Sequence, residues 1–331
     1  MRLLAEFLGP YIEAGMGPRQ PASIAAEPGR RRGCGGLGEG SAEESGERMT
    51  AELRQATAED TPELGRICYE AFKDIFERHG FPTDFATIGF AQQVVGMLTS
   101  QEQVYSVAAY DGDAAKGSNF INMWGDVAGI GPISVDLGAQ GEGIGRRLME
   151  DVIAAARSQG HEMIRLCQDS FNMQSLALYA SLGFDTVEPL AYLKLSDNGD
   201  VDSGFRPATA SDLDAMDELC QSVYQISRKG EVEAFLSMGF PMFVLDRGHI
   251  TGYLVTGLLG HGVAESTDEM LALFSSVGAT APDSLSFVPI RNGELYRGLL
   301  AAGHRNIKTM NLMALGPYEE PVGTYAPSVM F

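Results

Sequence analysis

The sequence predicts an α/β protein of the α+β kind, a mixed and mostly antiparallel sheet flanked by helices, built as two tandem copies. Three observations carry that expectation. From Leu53 onward two helical patterns come first and a run of short strands follows. One strand is joined to an amphipathic helix by a glycine-rich turn, Gln140-Gly141-Glu142-Gly143-Ile144-Gly145-Arg146-Arg147. The octet Leu53–Asp60 (LRQATAED) is echoed by Phe205–Asp212 (FRPATASD), an offset of 152 residues that persists from Cys68 to Cys220.

Residues 1–48 stand apart. They are rich in Gly, Ala, Glu, Pro and Arg, and Pro18-Arg19-Gln20-Pro21 and Gly29–Gly36 break any periodicity. Such a segment buries too little apolar surface to order itself, so a disordered extension is expected, with Leu3 to Ile12 able to form a short helix. The first copy, 49–197, reads as a short strand and then helices over about 60–78 and 84–98. Strands follow at 103–110, 118–124 and 130–136, with a turn at Asp111-Gly112-Asp113. The glycine turn and a helix (143–158) lead to a strand at 162–168, a helix over 172–182 and a closing strand through Tyr192–Leu195. Ser196–Gly204 is a polar linker. The second copy spans 204–316, and a tail, 317–331, with Tyr318, Tyr325, Val329 and Phe331, is expected to pack back onto a domain.

The glycine turn is the most informative stretch. Three glycines in five residues at a helix start let the backbone approach a ligand and leave the first-turn N–H groups aimed outward at the positive end of the helix dipole. That arrangement cradles a diphosphate, and Arg146 and Arg147 add positive charge. The dinucleotide fingerprint G-x-G-x-x-G fails, because its third glycine would fall on Arg146 or Leu148, and no Gly-Lys-Ser/Thr tripeptide exists for a triphosphate loop. The pattern that fits is Q/R-x-x-G-x-G/A, with Gln140, Gly143 and Gly145 in place. A second pattern follows one strand later: Asn172, Ser175, Tyr179, Gly183 and Phe184. Asn172 or Ser170 can cap that helix, Leu176, Tyr179 and Leu182 share a face, and Gly183 can end it.

On these two motifs the first copy resembles the GNAT superfamily of N-acetyltransferases. The resemblance implies acetyl-CoA as co-substrate, with the diphosphate held by Gln140, Gly141, Glu142, Gly143, Ile144, Gly145 and Arg146. It places the pantetheine arm beside the helix carrying Asn172 and Ser175, and the thioester carbonyl against backbone N–H groups near Ile133, Ser134 and Val135. Preset donors of that kind are worth roughly 3–4 kcal/mol each in other enzymes. Tyr179 is implied as the general acid for the departing thiolate, a phenol with an ordinary pKa of about 10 staying protonated at neutral pH. Many family members use a strand Glu as base. Phe120–Trp124 and Ile130–Val135 offer none, and Asp126 or Asp136, at strand ends, could act through water.

The implied reaction is acetyl transfer to a primary amine of a small molecule, or to a peptide, by direct attack on the thioester. The alternative is a non-catalytic acyl-CoA-binding or regulatory protein. The acceptor pocket is expected between the two early helices, where Phe72, Phe76, His79, Phe81, Phe85 and Phe90 cluster, with the connector Phe81–Asp84 the better candidate for contact. The second copy lacks the glycine spacing at Gly260–Ala264. It places Leu299 where Tyr179 stands and His304 where Phe184 stands, although Asn292 and Gly303 are kept. It is expected to preserve the fold and lack cofactor, serving to cover the first copy, shape the acceptor site or make a homodimer.

Composition narrows the partners. Hydrophobic residues make up 44% and charged residues 21%, with a formal net charge of −20. That charge repels phosphate backbones and argues against nucleic acid. No run of eighteen apolar residues exists, so no membrane partner is expected. Cysteines at 34, 68, 167 and 220 and five histidines show no metal-ligand spacing, so no metal is implied, and a reducing, cytoplasmic location is expected.

Overall fold

The computed structural model describes residues 51–257 and 259–329. The extension 1–48, with Cys34, and Phe331 lie outside the described residues.

The first half runs β1 (Glu52–Gln55), α1 (Thr61–His79), α2 (Ile88–Ser100), β2 (Val104–Asp111), β3 (Ala114–Asn122), β4 (Val127–Ile130), β5 (Ser134–Val135), α3 (Ile144–Ser158), β6 (Met163–Asp169), α4 (Met173–Ser181) and β7 (Asp185–Lys194). The second half runs β8 (Phe205–Pro207), α5 (Leu213–Tyr224), α6 (Lys229–Ser237), β9 (Met242–Asp246), β10 (Ile250–Val255), β11 (Gly262–Ala264), α7 (Thr267–Thr280), β12 (Leu285–Pro289), α8 (Gly293–Ala301), β13 (Arg305–Leu315) and β14 (Thr324–Ala326).

Both halves open with the same device, which explains the echoed octet. Thr57 presents its N–H and hydroxyl to Asp60 Oδ2 at 2.8 and 2.9 Å, while Arg54 Nη2 donates to Asp60 Oδ1 at 2.8 Å. Thr209, Asp212 and Arg206 repeat it, each of the three contacts being 2.8 Å. This reciprocal cap satisfies N–H groups that the helix start leaves unpaired.

Every pairing is antiparallel except β4 with β6. One sheet has the order β1-β2-β3-β4-β6-β13-β7-β12, with β5 beside β3; the other has β14-β11-β10-β9-β8. The large sheet mixes the halves. β13 lies between β6 and β7, placing Leu312 opposite Cys167 on one side and Glu188 on the other, while β7 pairs with β12. The last strand of each half therefore sits beside a strand of the other, and the units 49–197 and 204–316 interleave. β14, from the tail, pairs with β11 and buries Tyr325.

Two local departures from the expected elements shape the site. α2 begins at Ile88, four residues later than 84, because Thr87 caps it by accepting the Phe90 N–H at 3.1 Å. Residues 80–87 then form an extended connector. The strand expected at 130–136 is broken. Ile121 faces Ile130 and Ser118 faces Ser134, so three steps along β3 answer four along its partner, a β-bulge at Gly131–Ile133. The parallel pairing of β4 with β6 stops at Gly129–Arg165, yet β6 continues to Asp169. A wedge opens there between β5 and β6.

Candidate active site

The wedge is the mouth of a cavity of about 1040 Å³. Its walls are the bulge, the start of α3, the end of β6, α4, the two early helices, and parts of the second half around Phe240, Thr256 and Leu285.

The glycine turn has the geometry a diphosphate needs. Gly141 and Gly143 hold φ at 86° and 85°, and a Cβ at either would meet nothing within 4 Å, so the backbone there is bare on its outer side. The first recorded helical bond of α3 runs from the Arg147 N–H to Gly143 O at 3.2 Å, leaving the N–H groups before it without an intrahelical acceptor. Gln140 anchors the turn by donating its side-chain amide to Val135 O at 3.3 Å. The apolar face of α3, with Ile144, Leu148, Met149 and Val152 buried, fixes the helix against the sheet so that its positive end faces the wedge.

Ile133, Ser134, Val135, Gln140, Gly141, Ile144, Gly145, Asn172, Ser175 and Tyr179 all line the cavity. Glu142, Gly143 and Arg146 do not; the first is exposed, and Arg146 Nη2 donates to Ser181 Oγ at 2.5 Å on the outer rim. Arg147 was expected to add charge beside the anion. It turns away instead and donates to the Ala51 carbonyl.

Asn172 caps α4, its Oδ1 accepting the Ser175 N–H at 3.2 Å, and Gly183 at φ 95° ends the helix. Ser175 Oγ and the Asn172 carbonyl both take hydrogen bonds from Gln168, which Asn311 of β13 holds in turn at 2.8 Å. Tyr179 is 7% exposed, and burial first, then the charge of Asp169, pushes its phenol well above the ordinary range. The hydroxyl keeps its proton at neutral pH.

Neither candidate base from the sequence lines the cavity. Asp136 Oδ1 accepts the Gly138 N–H at 2.9 Å, its Oδ2 stands 3.7 Å from Arg66 Nη2, and Asp126 lies at an exposed strand end. Of the aromatic cluster, Phe72, Phe76, Phe85 and Phe90 line the cavity. Phe81 and His79 do not, because both pack on Phe171, at 4.6 and 5.1 Å between ring centroids. The connector contributes Asp84 and Phe85 to the cavity. Sequence reading also missed Asp169 and Lys308. The first lies one residue beyond the strand expected at 162–168, and the second reaches the site only through the exchange of β13, which no local pattern encodes.

Among the described residues the second half has no equivalent cradle. α7 is capped by Ser266, whose Oγ accepts the Glu269 N–H at 3.2 Å, and its first turn carries Asp268 and Glu269. A capped, acidic helix start repels an anion. Leu299, at the place of Tyr179, is fully buried. Among the described residues no group of three or more His, Cys, Asp or Glu could hold a metal ion, and no helix is long and apolar enough to cross a membrane.

Residues 52–184 match the acetyltransferase (GNAT) family model, and this part of the chain is a GNAT acetyltransferase domain. Among curated proteins no sequence match reaches significance. Among solved structures, the chain is similar to a Pyrococcus horikoshii protein assigned to the acetyltransferases (18% identity, 83% of this chain and 93% of that one, TM-score 0.69). It is also similar to a GCN5-related N-acetyltransferase from Sphaerobacter thermophilus (17%, 83% and 98%, TM-score 0.57). A tandem GNAT protein from the clavulanic acid biosynthesis pathway matches at 14% identity over 81% of this chain and 100% of that one, with TM-score 0.53. At these identities the likeness concerns the fold.

Proposed function

We propose that the protein transfers an acetyl group from acetyl-CoA to a primary amine of a small molecule, with Tyr179 as the acid that protonates the departing thiolate. The observation that carries this reading is the continuity of one cavity from the open backbone of Gly141 to the buried phenol of Tyr179. The residues fit the co-substrate. N–H groups of the turn and the start of α3 would hold the diphosphate, and Asn172 and Ser175 would flank the pantetheine arm. Backbone N–H groups near Ile133–Val135 would hold the thioester carbonyl and stabilise the oxyanion that forms there. The apolar bulk of Phe72, Phe85 and Phe90 excludes water from the acceptor end.

The test is thiol release from acetyl-CoA across a panel of primary amines, with calorimetry of acetyl-CoA alone. Release by the wild type and its strong loss in Tyr179→Phe, at unchanged acetyl-CoA affinity, supports the reading. Tight binding without release from any amine would refute turnover and leave an acyl-CoA-binding protein.

A further inference from the structure

The cavity holds one charged cluster that neither the glycine turn nor Tyr179 explains. Asp169 ends β6, Asp84 lies in the connector after α1, and Lys308 arrives on β13 from the other half of the chain. Lys308 Nζ stands 2.7 Å from Asp169 Oδ1 and 3.0 and 2.8 Å from the two Asp84 oxygens. Its side chain is 1% exposed and lies over the rings of Phe76 and Tyr192, 4.3 and 5.0 Å from their centroids. Both carboxylates line the cavity; the lysine lies behind them. Two carboxylates on one wall of the cavity attract a cationic ligand there.

Resting on the acetyltransferase reading above, we propose that Asp169 is the base that takes a proton from the acceptor, a cationic primary amine, and that Lys308 is the residue that positions it. Three observations meet on Asp169. It stands where β6 has run past its pairing with β4, so it faces the wedge. It lines the same cavity as Tyr179. Lys308 contacts Oδ1, and among the described residues no hydrogen bond is recorded to Oδ2.

The protonation chemistry suits the role. Burial pushes Asp169 above the usual carboxylate range and Lys308 pulls it part of the way back, so the group is more basic than an exposed carboxylate. The titratable groups around it are Lys308 from β13, Asp84 from the connector, Cys167 from β6 and Tyr179 from α4. In the reaction, the ammonium gives one proton to Asp169, which passes it to solvent after turnover. The freed lone pair forms the C–N bond at the thioester carbon, and the C–S bond breaks. A second proton leaves nitrogen through Tyr179 and ends on sulfur.

The experiment measures kcat/KM against pH with acetyl-CoA and three probe amines, phenethylamine, tyramine and spermidine, for the wild type, Asp169→Asn and Lys308→Met. Calorimetry of acetyl-CoA checks each variant's cofactor site. Asp169→Asn leaves Lys308 paired one-to-one with Asp84, so the fold is expected to persist. The expected result is a drop of roughly 100- to 10,000-fold in Asp169→Asn with loss of the acid limb of the profile, and acetyl-CoA affinity within about threefold. Lys308→Met should move that limb to higher pH, because the positive charge that lowers the Asp169 pKa is gone; a purely structural lysine would lower activity without moving it. Asp169→Asn activity within threefold of wild type overturns the proposal, as does a wild type that binds acetyl-CoA and acetylates none of the three amines. Absence of acetyl-CoA binding would instead fell the acetyltransferase reading on which the proposal rests.

Discussion

Lys308 Nζ, from the last long strand of the second half, lies 2.7 Å from Asp169 Oδ1, at the end of a strand in the first. The contact exists because β13 fills the gap between β6 and β7. The second half is therefore part of the first half's cavity wall.

A fragment of residues 49–197 tests that dependence. It lacks Lys308 and the strand that covers the β6 edge, which takes the lysine away from Asp84 and Asp169 and leaves a row of strand N–H and C=O groups unpaired. Removing one partner from a buried ionic cluster costs about 3–5 kcal/mol. Expressed alone, the fragment is expected to aggregate or to lose cooperative thermal unfolding; a monomer with a sharp transition would show that the halves fold independently.

Substitution of Tyr179 by phenylalanine removes one hydroxyl from a ring packed near Phe184, with centroids 6.2 Å apart. Packing survives, so the melting temperature should change little, while kcat falls roughly 100-fold or more. Equal losses in stability and rate would mark the tyrosine as a core residue alone.

Gly143→Ala separates backbone strain from ligand contact. At φ 85° an L-residue costs about 1–2 kcal/mol, but the added methyl meets no protein atom within 4 Å. A small fall in urea stability with a rise of roughly tenfold or more in the acetyl-CoA Kd is expected. An unchanged Kd would place the diphosphate elsewhere.

His261 makes the second half sensitive to acid. It is fully buried, with Nε2 2.8 Å from the Tyr253 hydroxyl and Nδ1 3.5 Å from Glu231, in a pocket that also holds Arg228 and Tyr224. Burial, then the charge of Arg228, lowers its pKa to about 4, against 6.5 for an exposed imidazole. The folded value lies below the unfolded one, so stability is full above pH 6.5 and declines as the pH falls toward 4. The loss is about 2–3 kcal/mol across that window. Urea titrations at pH 7.5 and 4.5 should show it, and His261→Gln should shrink the difference; a difference of the same size in the variant would assign the acid loss to other groups.

The local signals of the site were legible in the sequence. The glycine turn, the Asn172 cap, the Gly183 stop and the twin Thr–Asp caps are each written in a few adjacent residues, and the structure places them where those patterns put them. What could not be read is non-local. The bulge that splits β4 from β5 follows from pairing with β3, and the exchange of β13 follows from competition among strands of similar apolar character. Ser266 with Asp268 and Glu269 was a readable sign that the second half lacks an anion site, since the capping serine and the acidic first turn stand where the glycines would.

Acetyl-CoA binding by this site requires the backbone from Gly141 to Arg146 to hold the diphosphate. Calorimetric titration with acetyl-CoA and with S-acetylpantetheine, which shares the arm and thioester but has no diphosphate, measures that contribution directly. A single acetyl-CoA site is expected, with the truncated thioester bound more weakly by roughly 100-fold, about 3 kcal/mol. Equal affinities, or no acetyl-CoA binding, would contradict it.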